Sequence, residues 1–240
     1  IKVGFIMTKK FKRIGVLTSG GDAPGMNAVI KSVTCAAIDH GLEVVGIIGG
    51  YSGLLYDKTR ILTENDVSGI VSKGGTMLYS DRCKEYNSKE GVAKASKYCR
   101  DKGIDGVIVV GGDGTFRGAT DLSNSGIPCI GVTGTIDNDI TASDITVGYD
   151  TAMNTVVSLC DSLRDTFESH ARCVVVKVMG RDAGYIAIEA GLAVNAIGVA
   201  IKEKPFDKEA LFNRMIDRKR QGQRSFIVIV SEGCGDEFAA

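Results

Sequence analysis

The sequence predicts an α/β protein with mainly parallel sheets flanked by helices. Short apolar runs recur along the chain, and most of them are separated by stretches with helical spacing. Two runs, 106–110 and 226–230, are apolar without interruption, which is typical of strands covered on both faces. Ligands of such folds bind at the carboxyl ends of the strands, so the loops at those ends are the candidate ligand-binding segments.

The elements follow in order from these patterns. The first strand is the run RIGVLT at 13–18, and the helix after it ends before the glycine at 41, which favours a helix terminus. The strands are predicted at 13–18, 43–48, 106–110, 127–132, 172–178, 196–201 and 226–230. The helices are predicted at 26–40, 91–102, 117–125, 151–167, 182–194 and 207–221. A change of domain is expected near 140–150, which divides the chain into 1–145 and 146–240.

Composition and charge exclude several classes of protein. With 44% apolar and 24% charged residues, the chain is neither disordered nor fibrous. Lys plus Arg and Asp plus Glu both number 29, so no overall field favours nucleic acid or an anionic membrane as a partner. The apolar runs are far shorter than a membrane span. Residues 1–6 lack the basic flank and the cleavage site of a secretory leader.

Cysteine and histidine usage narrows the chemistry. The 7 cysteines form no CxxC pair, and we interpret them as reduced thiols of a cytoplasmic protein. The 2 histidines leave almost no material for a zinc site or a Ser/His/Asp triad.

Three motifs each follow a predicted strand. The first, TSGGDAPGMN at 18–27, precedes a helix, so backbone N–H groups near Gly20 and Gly21 could face an anion. It is no Walker motif, and a simple turn explains it equally well.

The second motif, GGDGT at 111–115, places the carboxylate of Asp113 among glycines directly after a strand. Glycines let the backbone approach a triphosphate, and the carboxylate can hold Mg²⁺. The alternative is a tight turn with an Asx hydrogen bond. The same string resembles loops of NAD kinases and lipid kinases, so it indicates a kinase without naming the substrate.

The third motif, GTIDND at 134–139, places Asp137 and Asp139 two residues apart. In an extended segment both side chains would point to one side. Phosphoryl transfer to an alcohol needs metal-held phosphates and a group that accepts the hydroxyl proton, and one carboxylate could serve each task. A polar turn with an Asx cap is the alternative interpretation.

GGDGT and GTIDND in this order and at this spacing resemble the phosphofructokinase family, over nearly the whole chain from 13 to about 237. The resemblance implies two Rossmann-like domains with the active site in the cleft between them, 1–145 binding nucleotide and 146–240 binding sugar phosphate. It also implies ATP and fructose 6-phosphate as substrates, Mg²⁺ as cofactor and a homotetramer. Because short family members are longer than this chain, we expect the C-terminal part of the family fold to be absent.

The resemblance also implies roles for particular residues. ATP would contact Gly21, Arg82, Cys83, Gly112, Asp113, Gly114 and Thr115, with Asp113 serving Mg²⁺. Fructose 6-phosphate would contact Thr135, Asp137, Arg172, Met179, Gly180, Arg181 and Glu232. The catalytic set would be Thr135, Asp137, Asp139 and Arg181, with Asp137 as the base. Arg172 matches an arginine that reaches the sugar phosphate of a neighbouring subunit.

Two further features of the sequence concern the choice of phosphoryl donor and the regulation by effectors. Pyrophosphate-dependent members carry aspartate at the position of Gly114 and lysine at that of Gly134, so glycine at both favours ATP. A pyrophosphate-dependent enzyme and a non-catalytic regulatory homologue are the alternatives. Where the family effector site has basic residues, this chain has Lys31, Cys35, Glu64, Arg164 and Gln223. Where the family has a glutamate in that site, this chain has Ile197. We therefore expect weak regulation by phosphorylated effectors.

Overall fold

A computed structural model of the chain describes residues 11–141 and 143–235. The prediction about residues 1–6 lies outside this range. The chain divides into two compact units, residues 1–134 and 135–240, which are described separately below. The predicted α/β class with mainly parallel strands is confirmed. The functional division at 145/146 stays a prediction.

Unit 1 is a mostly parallel sheet with helices on both faces. Its strands lie in the order β3-β2-β1-β4-β5, in which the β2–β3 pair is antiparallel and the other three pairs are parallel. The strands are β1 Arg13–Thr18, β2 Glu43–Ile47, β3 Thr59–Leu62, β4 Gly106–Gly111 and β5 Cys129–Thr135, of which β5 leads the chain out of the unit. The helices are α1 Met26–Asp39, α2 Ser52–Leu55, α3 Lys89–Asp101 and α4 Asp113–Asn124, with a 3₁₀ turn at Glu85–Asn87.

The core of unit 1 has two layers because alternate strand residues face opposite sides of the sheet. One layer packs β1 and β4 residues such as Leu17 and Val109 against α3 and α4, where Leu122 is fully buried. The other packs Val16 and its neighbours against α1, where Ile30 is fully buried. This double cover explains why the strands read as continuous apolar runs.

The register of the parallel strands decides where the candidate site of unit 1 lies. Thr18 at the end of β1 pairs with Val110, and Gly111 at the end of β4 pairs with Thr133. The carboxyl ends of β1, β4 and β5 therefore share one edge of the sheet, and the three motifs leave the sheet along this edge.

Unit 2 contains a smaller, wholly parallel sheet in the order β7-β9-β8. The elements of unit 2 are β6 Val147–Gly148, α5 Tyr149–Ser169, β7 Cys173–Val178, α6 Tyr185–Ala193, β8 Gly198–Ala200, α7 Lys208–Arg220 and β9 Phe226–Ser231, with a 3₁₀ turn at Glu232–Cys234. Ile186 of α6 and Ile229 of β9 lie in its core. Because Val178 pairs with Ser231, the segments after β7 and β9 begin at the same edge.

Three elements were absent from the sequence prediction. The helix α2 has only four residues, β3 is an antiparallel edge strand, and β6 has two residues, so none carries a measurable period. The helix predicted at 117–125 begins earlier, at Asp113, because its first turn includes Gly114, a residue type that disfavours helix. Among the helices that the structure describes, none combines the length and apolar composition needed to cross a bilayer.

Candidate functional site

The GGDGT run joins β4 to α4. The strand ends at Gly111 and the helix begins at Asp113, so the run forms the first turn of a helix and not a separate loop. Gly112 is the N-cap residue, in an extended conformation. The first N–H groups of a helix have no partner within it and favour an anion. This turn therefore places such groups next to the exposed carboxylate of Asp113.

Gly111 has no room for a side chain. A Cβ atom there would lie 2.5 Å from the carbonyl oxygen of Ser19 and 2.9 Å from the Cβ of Thr115. Thr115 is buried, and its hydroxyl donates a hydrogen bond of 3.0 Å to the same Ser19 carbonyl. The hydroxyl of this predicted ATP contact thus joins α4 to the loop after β1. Only the backbone N–H of Thr115 belongs to the anion-favouring turn.

The glycine turn after β1 lies away from the start of α1. The loop runs over residues 19–25, and the helix begins only at Met26. Gly20 has a φ of 87°, and Gly21 is exposed with no atom within 4 Å of an added Cβ. Near the helix start, the buried side chain of Asn27 binds two backbone groups of a distant segment. The anion-binding prediction for Gly20 and Gly21 therefore depends on the loop and not on the helix.

The segment that carries Arg82 and Cys83 is held against this loop. The Ser80 hydroxyl donates to the carbonyl oxygen of Gly20 across 2.8 Å. Arg82 is exposed and Cys83 is half-buried. Since the loop after β1 also accepts the bond from Thr115, the structure brings together all three segments predicted to contact ATP.

Sequence reasoning missed two residues that hold these segments in place, Tyr51 and Ser52, which lie at the start of α2. The Tyr51 hydroxyl donates to the Thr115 carbonyl oxygen, and the Ser52 hydroxyl donates to a carboxylate oxygen of Asp81, each across 2.6 Å. Burial raises the pKa of Tyr51, so its phenol stays a donor. The one available signal was the position of Asp81 directly before Arg82.

The residues from 135 to 139 form a bend in unit 2. The strand β5 ends at Thr135 and Asn138 has a φ of 52°, so the segment is not extended. The extended conformation, under which both side chains would point to one side, is therefore absent, and the shared role of Asp137 and Asp139 stays a prediction. Asp137 is buried, with 8% exposure, whereas Asp139 is exposed. The buried Thr146 holds the bend by donating to the Thr135 carbonyl and to the Asn138 side chain.

The charges around Asp137 change its acidity. Burial raises the pKa of its carboxyl group, and the nearby charges of Asp139 and Glu232 raise it further, while Arg181 lowers it. The Asp137 N–H donates to the Thr135 hydroxyl across 3.2 Å. A raised pKa makes a carboxylate a better proton acceptor near neutral pH. The structure thus brings together five residues that were predicted from sequence: Thr135, Asp137, Asp139, Arg181 and Glu232.

Arg181 and Glu232 meet because β7 and β9 are adjacent. The Arg181 N–H donates to the Glu232 carboxylate across 2.6 Å, and Arg181 has a φ of 54°. Gly180 has a φ of 132°, and an added Cβ would lie 2.7 Å from the carbonyl oxygen of Ala183. Met179 is 62% exposed, so it is not a core residue. The predicted sugar-binding residues 179–181 therefore form a tight turn, in which Met179 and Arg181 are exposed and Gly180 is buried.

Arg172 lies at the other end of the same strand. It is exposed and precedes the first residue of β7, Cys173, whereas Met179 follows the last. At about 3.3 Å per residue, the strand separates these ends by about 20 Å. Arg172 therefore does not reach the cluster of Asp137, Arg181 and Glu232 in its own chain.

The carboxylate of Asp113 is suited to hold Mg²⁺ that is also bound by substrate phosphates. Its carboxylate is 63% exposed and lies 4.0 Å from the guanidinium of Arg117. Within residues 11–141 and 143–235, no cluster of three metal-binding side chains occurs. Mg²⁺ is commonly held by one or two carboxylates together with substrate phosphates. A single carboxylate at an anion-favouring helix start fits that mode.

The residues at the family's effector positions carry few free cations. Glu64 is exposed and would repel an anion. The Arg164 guanidinium already donates to the carbonyl oxygen of Val194 and to the Asp161 carboxylate, across 3.0 and 3.2 Å. The Gln223 side chain donates to a nearby carbonyl oxygen.

Comparison with known proteins identifies the family. The family model described as phosphofructokinase matches residues 13–239. The ATP-dependent 6-phosphofructokinase of Halothermothrix orenii is 47% identical over 229 residues, which are 95% of this chain and 69% of that protein. The chain belongs to the phosphofructokinase family. Another family member, the ATP-dependent 6-phosphofructokinase of Bacillus subtilis, is 48% identical over 224 residues, covering 93% of this chain and 70% of the relative.

Solved phosphofructokinase structures share the fold. The structure from Saccharomyces cerevisiae superimposes with a TM-score of 0.86 at 33% identity, over 92% of this chain and 34% of the yeast chain. A pyrophosphate-dependent phosphofructokinase from Marinobacter aquaeolei superimposes with a TM-score of 0.81 at 23% identity, over 93% of this chain and 61% of that chain. At that identity, the second likeness concerns the fold alone.

Proposed function

We propose that this chain catalyses the Mg²⁺-dependent transfer of the γ-phosphoryl group of ATP to the 1-hydroxyl of fructose 6-phosphate. The products are fructose 1,6-bisphosphate and ADP, as in glycolysis, a cytoplasmic pathway. The observation that supports this most is the buried Asp137 with its raised pKa, beside Arg181 and Glu232. Near 47% identity to ATP-dependent 6-phosphofructokinases supports the same reaction.

The nucleotide is held by unit 1. The α4 turn offers the N–H groups of 113–115, Gly21 leaves space for phosphate, and Arg82 with Cys83 lies on the adjoining segment. Asp113 holds Mg²⁺, which neutralises phosphate charge when bound. Because phosphoryl transfer needs little covalent help, positioning of the phosphates is the main task of these residues.

The sugar phosphate is held by unit 2. Asp137 accepts the proton of the 1-hydroxyl, and the Thr135 hydroxyl orients the bend by accepting the Asp137 N–H. Arg181 offers a planar fork for phosphate oxygens, and Asp139 lies near the reacting group. The turn at Met179 and Gly180, joined to Glu232 through Arg181, contacts the sugar.

The donor is ATP rather than pyrophosphate. Gly114 leaves open space at the start of α4, since an added Cβ would meet no atom within 4 Å. At Gly134, an added Cβ would lie 3.0 Å from a Val110 methyl group and 3.3 Å from that of Met26, so a lysine there requires rearrangement. The open space at Gly114 leaves room for the longer nucleotide.

The active form is a homotetramer in which Arg172 serves a neighbouring subunit. Its place at the far end of β7, exposed and about 20 Å from residues 179–181, supports this assignment. An arginine so far from its own cluster can reach a sugar phosphate only from another copy.

The test is a turnover assay with fructose 6-phosphate and either ATP or pyrophosphate. We expect turnover with ATP, and we expect Asp137→Ser to lower it by about 10²- to 10⁴-fold without loss of ATP binding. The control is Asp165→Ser, which removes an exposed carboxylate on α5 and should leave turnover unchanged. Wild-type turnover of Asp137→Ser, or faster turnover with pyrophosphate, would contradict the proposal.

A further inference from the structure

The start of α2 connects two segments that are distant in sequence. Tyr51 bonds to the first turn of α4 through the Thr115 carbonyl. Its neighbour Ser52, with only 7% exposure, bonds to the carboxylate of Asp81. Two consecutive residues therefore hold the α4 turn and the segment that leads into Arg82. None of these bonds involves the groups assigned above to catalysis.

The side chain of Asp81 connects Ser52 to the backbone of Arg82 by two hydrogen bonds. One oxygen of its carboxylate accepts the Ser52 hydroxyl across 2.6 Å, and the other accepts the backbone N–H of Arg82 across 2.7 Å. Both bonds lower the pKa of Asp81, the Ser52 bond most, so the carboxylate stays ionised. The Ser19 hydroxyl also lies 3.4 Å from the Asp81 carbonyl oxygen. The backbone at Arg82 is thus set by a side chain that is itself fixed.

The segment needs such support because its backbone is strained. Tyr79 has a φ of 55°, in the left-handed region that is unfavourable for a residue with a side chain. Strained conformations persist only where surrounding contacts hold them. Here the Thr18 hydroxyl holds the Tyr79 carbonyl across 3.0 Å, and the Ser52 bond holds Asp81.

A carboxylate beside a predicted phosphate-binding arginine is otherwise unfavourable. It would repel a nucleotide and compete for the guanidinium. Asp81 instead directs its two oxygens to Ser52 and to the Arg82 backbone. This leaves the Arg82 side chain exposed.

We propose that Ser52, acting through Asp81, is a positioning residue that sets the Arg82 segment for nucleotide binding. The inference rests on the proposed function, because it takes Arg82 as a nucleotide contact. Ser52 touches neither substrate; it acts only through the hydrogen bond to Asp81. Its loss should therefore affect ATP and spare fructose 6-phosphate.

The experiment compares Ser52→Ala, Asp81→Ala and Asp81→Asn with the unmodified protein. Asparagine can still accept the Arg82 N–H and can donate to the Ser52 hydroxyl, so it preserves the geometry without the charge. We expect Ser52→Ala and Asp81→Ala to raise the KM for ATP by about three- to tenfold, the usual effect of one lost hydrogen bond. The KM for fructose 6-phosphate and the kcat should change less than about twofold, and Asp81→Asn should behave like the unmodified protein.

The control is Ser96→Ala, which removes a buried serine that bonds to the Ser125 carbonyl across 3.0 Å, elsewhere in unit 1. It should lower stability without changing the KM for ATP. Should Ser52→Ala fail to fold, the comparison of Asp81→Ala with Asp81→Asn still decides, because neither alters α2.

Three outcomes would overturn the inference: an unchanged KM for ATP in Ser52→Ala, an equal rise in both KM values, or no rescue by Asp81→Asn. Calorimetric titration of the unmodified protein with a non-hydrolysable ATP analogue distinguishes a failure of the positioning role from a failure of the proposed function. If the unmodified protein binds no nucleotide, the proposed function fails. If it binds and Ser52→Ala binds equally well, only the positioning role fails.

Discussion

Replacing Gly111 with alanine tests whether the contact between the β4–α4 turn and the loop after β1 holds the candidate nucleotide site together. The new methyl group would lie 2.5 Å from the Ser19 carbonyl oxygen and 2.9 Å from the Thr115 Cβ. Neither is the end of a flexible side chain, so the backbone must move. The movement would also break the hydrogen bond between the Thr115 hydroxyl and Ser19.

The magnitude follows from these two effects. Overpacking of this kind costs about 1–3 kcal/mol. A buried hydrogen bond that is broken costs about 1–2 kcal/mol more. We therefore expect Gly111→Ala to lower the free energy of unfolding by about 2–5 kcal/mol and to weaken nucleotide binding.

The matched control lies three residues further along the same motif. At Gly114 an added Cβ meets no atom within 4 Å, and alanine is favoured over glycine within a helix by up to about 1 kcal/mol. Gly114→Ala should therefore be as stable as the unmodified protein or slightly more stable. Urea unfolding followed by circular dichroism measures both variants, with calorimetric titration of an ATP analogue. Equal unfolding midpoints for Gly111→Ala and the unmodified protein would refute the reasoning.

Four further predictions concern the phosphoryl donor, the base and regulation. Gly114→Asp should lower kcat/KM for ATP by at least about tenfold, since a carboxylate would face the phosphates in a partly dehydrated site; an unchanged value would show that the donor is selected elsewhere. Because the raised pKa of Asp137 must be exceeded before the base is ionised, kcat/KM should fall on acidification at a higher pH than for an ordinary aspartate. Asp139→Asn removes a charge that raises this pKa, so the acid limb of its profile of kcat/KM against pH should move to lower pH. This shift is expected even if the maximal kcat/KM of the variant is lower. Finally, with Cys35 and Glu64 at effector positions, millimolar phosphoenolpyruvate should shift the fructose 6-phosphate saturation midpoint by less than about twofold; a large shift would show that other cations rebuild the site.

Predictions from local pattern were the most successful. The strands β1, β4 and β9 and the helix α1 lie within a residue or so of their predicted bounds. Their periodicity and composition are properties of consecutive residues, so no distant contact is needed to detect them. The kinase motifs were equally visible, because each is a run of consecutive glycines and carboxylates directly after a predicted strand.

Errors arose where a residue's surroundings decide its state. Asp137 and Asp139 are alike in sequence, yet the left-handed Asn138 between them leaves one buried and the other exposed. A two-residue spacing predicts direction only when the backbone is extended.

The sequence by itself determined the α/β class, the order of the elements and the residue types available for phosphoryl transfer, because these depend on neighbours along the chain. Only the tertiary structure decided which of those residues meet. Parallel pairing joined Arg181 to Glu232 and placed Arg172 at the opposite end of the same strand. It also revealed Ser52 and Asp81, whose hydrogen bond spans 29 positions of sequence. Burial, charge proximity and hydrogen bonds between distant residues depend on the folded chain, and the pKa of Asp137 follows from them.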